Sequence, residues 1–194
     1  MIRVALLDDH PALRAGLTTV LQAEPGLVPV GAAGDAAAFW PMLHRTRPDL
    51  VLLDYHVPGD STLALCHELK SRPTAPAVVM YSAYADASLG VLARLAGADG
   101  VVHKGVPALQ LFEAIREVAR GASALPPISA ALRKAAALAL DPQDLPILSM
   151  LIDHTATTDI MDTLGIERHE LNRRIQRMLT ALRPAAHAPL SLDA

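Results

Sequence analysis

Five short apolar runs, each followed by a stretch of helical periodicity, constrain what the first 120 residues can become. The runs predict strands over 2–7, 27–32, 49–54, 77–82 and 99–103. The stretches after them predict amphipathic helices over 11–23, 35–46, 61–71, 87–95 and 107–119. Alternation at this spacing argues for βαβ units around a parallel sheet. Right-handed crossovers then put helices on both faces. Five strands suit the flavodoxin-like order 2-1-3-4-5, an α/β (βα)5 fold. No G-x-G-x-x-G follows the first run, so a dinucleotide fold has no support. Gly34-Asp35 and Asp60-Ser61 supply helix caps.

In such a sheet the carboxyl ends of the strands share one edge, where ligands of open α/β folds bind. Asp8, Asp9, Asp54, Ser82 and Lys104 all fall where the apolar runs end. Three carboxylates brought together raise one another's pKa unless a cation neutralises them. An all-oxygen set suits Mg2+, which keeps several waters and takes one or two carboxylates plus phosphate oxygens. A carboxylate beside it can act as a nucleophile and form an aspartyl phosphate. Lys104 and the Ser82 hydroxyl would hold phosphoryl oxygens. Taken singly, each residue has an ordinary structural role. An aspartate at a strand end caps a helix, Ser82 serves a turn, and Lys104 is a solvated cation. Asp54 resists that reading, because a carboxylate directly after four apolar residues needs a partner.

The totals narrow the class. The chain has 194 residues and a net charge of −3, so it is no polycation and its total charge gives no sign of nucleic acid. One cysteine, Cys66, excludes an internal disulfide framework and fits a reducing compartment. It reads as a small buried apolar residue on a helix. The opening residues enter a strand with no basic-then-apolar leader, and no segment approaches the ~18 apolar residues of a membrane span. A cytoplasmic protein is expected.

Residues 121–140 change character. Gly121, Pro126 and Pro127 break structure, an Ala-rich helical stretch follows, and the whole reads as a linker. Helical patterns then cover 142–153, 156–163 and 167–182, a small all-α domain over 141–183. Asp141-Pro142 looks like an N-cap with proline at the first helical position. Pro146 predicts a late start or a kink. The tail 184–194 has no periodicity.

The motifs carry a resemblance. DDHPALRAGL (8–17) resembles the DDHPLVREGL opening of NarL/FixJ-type response regulators. VLLDYHVPG (51–59) is similar to their phosphoacceptor segment, and GADGVVHKG (97–105) to their GAxGYLLKD segment. The resemblance spans a receiver over 1–120. It implies Asp54 as phosphoacceptor, Asp9 as direct Mg2+ ligand, Asp8 acting through water, and the His56 backbone carbonyl completing the set. It also implies Lys104 as the phosphate-pairing lysine, Ser82 as the switch hydroxyl, and a histidine kinase as donor. Two departures matter. Val101 stands where most such receivers carry a Tyr or Phe that swings inward. His56 and Tyr84 are bulky at the two positions that tune water access, which predicts a shielded phosphate. An enzyme reading, a phosphohydrolase with Asp8 as nucleophile, wants a second Asp two residues later, and that place is His10.

Residues 140–182 resemble the LuxR-type helix-turn-helix, with Leu164-Gly165-Ile166 as its turn and Leu171 as the residue packed inside. The resemblance implies a recognition helix over 167–182. By position, Asn172, Arg173, Gln176 and Arg177 would face the major groove, with Arg168 and Arg174 near phosphates. It also implies promoter DNA as partner and a homodimer. Charge argues the other way. Glu170 replaces the usual Thr, and 140–194 holds five arginines, no lysine and eight acids, a net −3. DNA-binding modules carry a basic excess. The window 167–183 is basic, with five Arg against two Glu. The rival is a helical module for dimerisation or a protein partner without DNA affinity.

Overall fold

The computed structural model describes residues 1–59 and 61–183. The predicted cap at Asp60 and the tail 184–194 fall outside them. The first unit runs from β1 (Ile2–Leu7) and α1 (Pro11–Ala23) through β2 (Leu27–Ala33) and α2 (Ala36–Thr46) to β3 (Leu50–Asp54). It continues with α3 (Thr62–Lys70), β4 (Ala77–Ser82), α4 (Ala87–Leu95), β5 (Gly100–His103) and α5 (Ala108–Ala119). The strands form one parallel sheet in the order β2-β1-β3-β4-β5, the flavodoxin-like order read from the spacing.

The inner residues of β1, β3 and β4 are apolar because both faces of the sheet are covered. Val4, Leu6, Leu50, Leu52 and Val79 pack with Leu17, Leu21, Leu111, Phe112 and Ile115. Ala5, Leu7, Val51, Leu53 and Met80 alternate with them and are equally buried. Truncating such a leucine to alanine costs about 2–5 kcal/mol. Helix starts follow local chemistry. The Asp35 carboxylate accepts from Ala38 N at 2.7 Å and the Ser61 hydroxyl from Ala64 N at 3.3 Å, so both stand just outside their helices. Pro11 opens α1, where its missing N–H costs nothing.

Contacts divide the chain after Pro127, and the second unit begins at Ile128. The stretch read as linker is more structured than its prolines suggest. Ala124 makes a parallel bridge to Gly100 at the outer edge of β5. Further on, α6 (Ala130–Leu138) starts at Ser129, whose hydroxyl accepts from Leu132 N at 3.2 Å. The pattern over 142–153 splits into a 3-10 turn (Pro142–Asp144) and α7 (Leu145–Ile152). Pro146 therefore sits in the first turn of a new helix, where no hydrogen bond is lost. Then come α8 (Thr157–Leu164) and α9 (Arg168–Leu182). Gly165 joins them with φ of 62°, a left-handed turn that favours glycine. Ile147, Leu148, Leu151, Ile160, Leu171, Ile175 and Met178 are buried.

Candidate functional site

Parallel register aligns the strand ends. Leu7 lies opposite Leu53, Asp54 opposite Tyr81, and Ser82 opposite His103. The residues just beyond therefore meet above the sheet. Asp8, Asp54 and Ser82 are buried, at 3%, 4% and 1% exposure. Lys104 Nζ reaches across to Asp8 Oδ2 and Asp54 Oδ2, at 2.7 Å each. Local turns fix the rest. His10 N donates to Asp8 Oδ1 at 2.8 Å, His56 N to Asp54 Oδ1 at 3.3 Å, and Tyr84 N to Ser82 Oγ at 3.0 Å. The backbone of Lys104 is held at both ends, its N–H donating to Ser82 O at 2.8 Å and its carbonyl accepting from Tyr81 Oη at 3.2 Å.

Burial pushes the Asp54 carboxyl up, and it stays raised although hydrogen bonds and charge from Lys104 and the His56 N–H oppose the shift. Burial alone would lower Lys104. Its hydrogen bonds to Asp54 and Asp8, and their charges, outweigh that and raise it. The lysine stays cationic between two buried carboxylates.

Asp9 completes the group. Its Oδ1 is buried without an aligned hydrogen bond, though His10 Nδ1 lies 2.7 Å away as an ion-pair contact. Ligand atoms of Asp8, Asp9, His10 and Asp54 all lie within 4.8 Å of one another. Three carboxylates with one lysine among them leave negative charge in excess, and Asp9 Oδ1 has no aligned hydrogen bond. That set fits a hard divalent cation. Sequence reasoning passed over His10 as a contact to this cluster, although its place directly after the aspartate pair was the signal. It also passed over Arg14, whose Nη1 donates to Asp8 O at 2.6 Å. The His56 and Tyr84 side chains are exposed.

In the second unit, Arg168 and Arg173 are exposed, and Arg173 pairs with Glu170. Asn172 and Gln176 are half-buried. Arg174 and Arg177 converge on Asp144, which is 1% exposed. Arg174 Nε donates to Asp144 Oδ1 at 2.7 Å, and its Nη2 to the Gln143 carbonyl. Arg177 donates from Nε and Nη2 to Asp144 Oδ2, at 3.0 and 2.8 Å. Two guanidinium groups assigned by position to DNA thus have an internal anion. The recognition pattern did not expose this, because Asp144 lies 30 residues before Arg174.

A doubly wound five-stranded sheet with an acidic, lysine-bridged pocket at its carboxyl edge defines the receiver class. A profile of the response regulator receiver domain matches residues 4–116. The chain belongs to that family, in its NarL/FixJ-type branch. It is 31% identical over 192 residues to the DNA-binding transcriptional activator DevR/DosR of Mycobacterium tuberculosis, covering 94% of this chain and 88% of that one. It is 37% identical over 120 residues to the nitrate/nitrite response regulator NarP of Escherichia coli, covering 61% and 55%. Among solved structures, a LuxR-family two-component response regulator from Aurantimonas sp. SI85-9A1 superposes with a TM-score of 0.60 at 26% identity, covering 69% and 94%. RcsB from Salmonella typhimurium shares the fold alone, with a TM-score of 0.59 at 18% identity, over 93% and 91%.

Proposed function

We propose that this response regulator accepts a phosphoryl group on Asp54 from a histidine kinase and passes the signal to a DNA-binding unit that controls transcription. The observation that carries the first half is the bridge of Lys104 to Asp8 and Asp54. It pairs a buried carboxylate with a cation placed to follow the charge when that carboxylate becomes an acyl phosphate. The Asp54 oxygen attacks phosphorus, and the bond from phosphorus to the donor nitrogen breaks. Lys104 and the Ser82 hydroxyl hold the transferred oxygens. Asp9, Asp54 and the His56 carbonyl would ligate Mg2+, with Asp8 acting through water. Bound there, Mg2+ supplies charge neutralisation to the transferring phosphoryl group. The receiver is taken as 1–120, the linker as 121–140 and the output domain as 141–183. The protein is an acceptor that takes part in its own phosphorylation, not an enzyme acting on an outside substrate. It works in the cytoplasm as a homodimer.

DNA binding for the second half is supported by the α8–turn–α9 arrangement, by the exposed Arg168 and Arg173, and by the likeness to DevR/DosR. A second reading has its own support. Asp144 pairs with both Arg174 and Arg177 and offsets one of their two charges, which fits a helical module that binds protein or a second copy instead. Promoter-DNA affinity measured across salt separates them. A steep fall of log K with log salt supports the first. No binding tighter than about 10 µM at low salt supports the second. Mg2+-dependent labelling by a small phosphodonor tests the receiver. Labelling lost in Asp54→Asn and slowed but kept in Asp8→Asn is expected; labelling kept in Asp54→Asn would refute the assignment.

A further inference from the structure

The chain leaving α5 turns back on the receiver before it reaches the second unit. Ala124 pairs in parallel with Gly100 at the open edge of β5. Ala124 N donates to Asp99 O at 2.9 Å, and Val101 N donates to Ala124 O at 3.1 Å. Two residues on, Pro126 lies against α4 at Gly90, where an added Cβ would come to 2.6 Å from the proline Cγ. Arg94, also on α4, donates from Nη2 to the Pro126 carbonyl at 3.2 Å. Gly100 is close but less tight, with a Cβ there meeting that of Ala124 at 3.0 Å. Ala124 and Pro126 thus seat in a groove formed by β5 and α4, while Ser123 and Pro127 on either side are exposed.

That groove connects to the acidic pocket through one strand. Lys104 follows β5 directly, and its N–H is tied to Ser82 at the end of β4. Any shift of Ser82 and Lys104 toward a phosphoryl group pulls on β5, whose outer edge holds Ala124. Val101, the residue that grips the Ala124 carbonyl, stands at the place where the resemblance leads one to expect a swinging aromatic ring. The segment it holds is the one that continues into the second unit.

We propose that the α4–β5 edge is an interaction surface whose partner is this chain's own segment Ser123–Pro127, docked without phosphate and loosened when Asp54 is phosphorylated. The signal then travels through backbone pairing at Val101 rather than through a ring at that position. The proposal rests on Asp54 being the phosphoacceptor.

Residue-resolved amide exchange by NMR on the full chain tests it, with Mg2+ and with or without a small phosphodonor. Mass spectrometry of the same samples reads phosphorylation independently. Protection of the Val101 and Ala124 amides is expected to fall by about tenfold or more on phosphorylation, with core β1 amides unchanged. Asp54→Asn should abolish the change. Gly90→Ala, which touches no pocket residue, should displace Pro126 and lower the same protection without phosphate. Unchanged protection in protein shown to be phosphorylated on Asp54 overturns the inference, as does normal protection in folded Gly90→Ala. Absent phosphorylation in the wild type instead overturns the underlying assignment of Asp54, and the inference with it.

Discussion

Lys104 and Asp54 lie 50 residues apart in sequence, yet the ammonium and the carboxylate meet at 2.7 Å above the sheet. The same ammonium holds Asp8 at the same distance, so one cation is shared by two buried anions. Exposure of the three side chains is 15% or less, too little for water to replace either partner.

Removing that cation should be costly without metal. Lys104→Gln is expected to lose on the order of 3–5 kcal/mol, the usual penalty for breaking a buried pair. Mg2+ should recover part of it, about 2.7 kcal/mol at a hundred times its dissociation constant. Urea denaturation in chelator and in Mg2+ measures both. Since the Lys104 pKa is raised, its contribution is intact below the ordinary lysine value of 10.5 and fades as pH climbs above it. Equal stability of variant and wild type in chelator would remove Lys104 as the charge balance of the pocket.

The second unit has its own buried anion. Asp144→Ala should destabilise it by roughly 3–5 kcal/mol, because it strands the guanidinium of Arg174, whose side chain is only 11% exposed. Arg177→Ala should cost much less, its side chain being 46% exposed. For DNA, Arg173→Ala should flatten the salt slope by about one unit, while Arg177→Ala should change it little. Thermal unfolding and salt-dependent binding check the two halves. A larger salt effect at Arg177 than at Arg173 would mean that Asp144 releases its partner on DNA.

Cys66 on α3 is fully enclosed, and burial pushes its thiol up to about 12. The thiolate is the reactive form. Iodoacetamide at pH 8 is therefore expected to leave the folded protein unmodified and to alkylate it in urea. A raised thiol pKa also means that stability holds below the ordinary value of 9.0 and falls as pH rises from there towards 12. Rapid alkylation of the folded chain would contradict this burial.

How far the sequence reveals the fold depends on the range of the interaction. The parallel sheet was legible because uniformly apolar runs alternating with helices leave few topologies. The pocket was legible for the same reason, since every strand end lies on one edge. Pro146 was legible as a boundary, and the 3-10 turn at Pro142–Asp144 is the late start it demanded. The return of Ala124 to Gly100 was not legible, because an Ala-Ser-Pro stretch carries no strand pattern and its pairing comes from the open edge of β5. Nor was the Asp144 cluster, since a helix pattern shows which face is polar but not which distant carboxylate meets it. Arg174 and Arg177 look like free cations in sequence and are anchored in three dimensions.

Receiver function here depends on where a phosphoryl group attaches. Full-length protein with Mg2+ and a small phosphodonor, digested and mapped by mass spectrometry, gives the answer. The phosphoryl group is predicted on the peptide containing Asp54 and nowhere else. A group found instead on the peptide containing Asp8 and Asp9, or none with Mg2+ present, would contradict Asp54 as the phosphoacceptor.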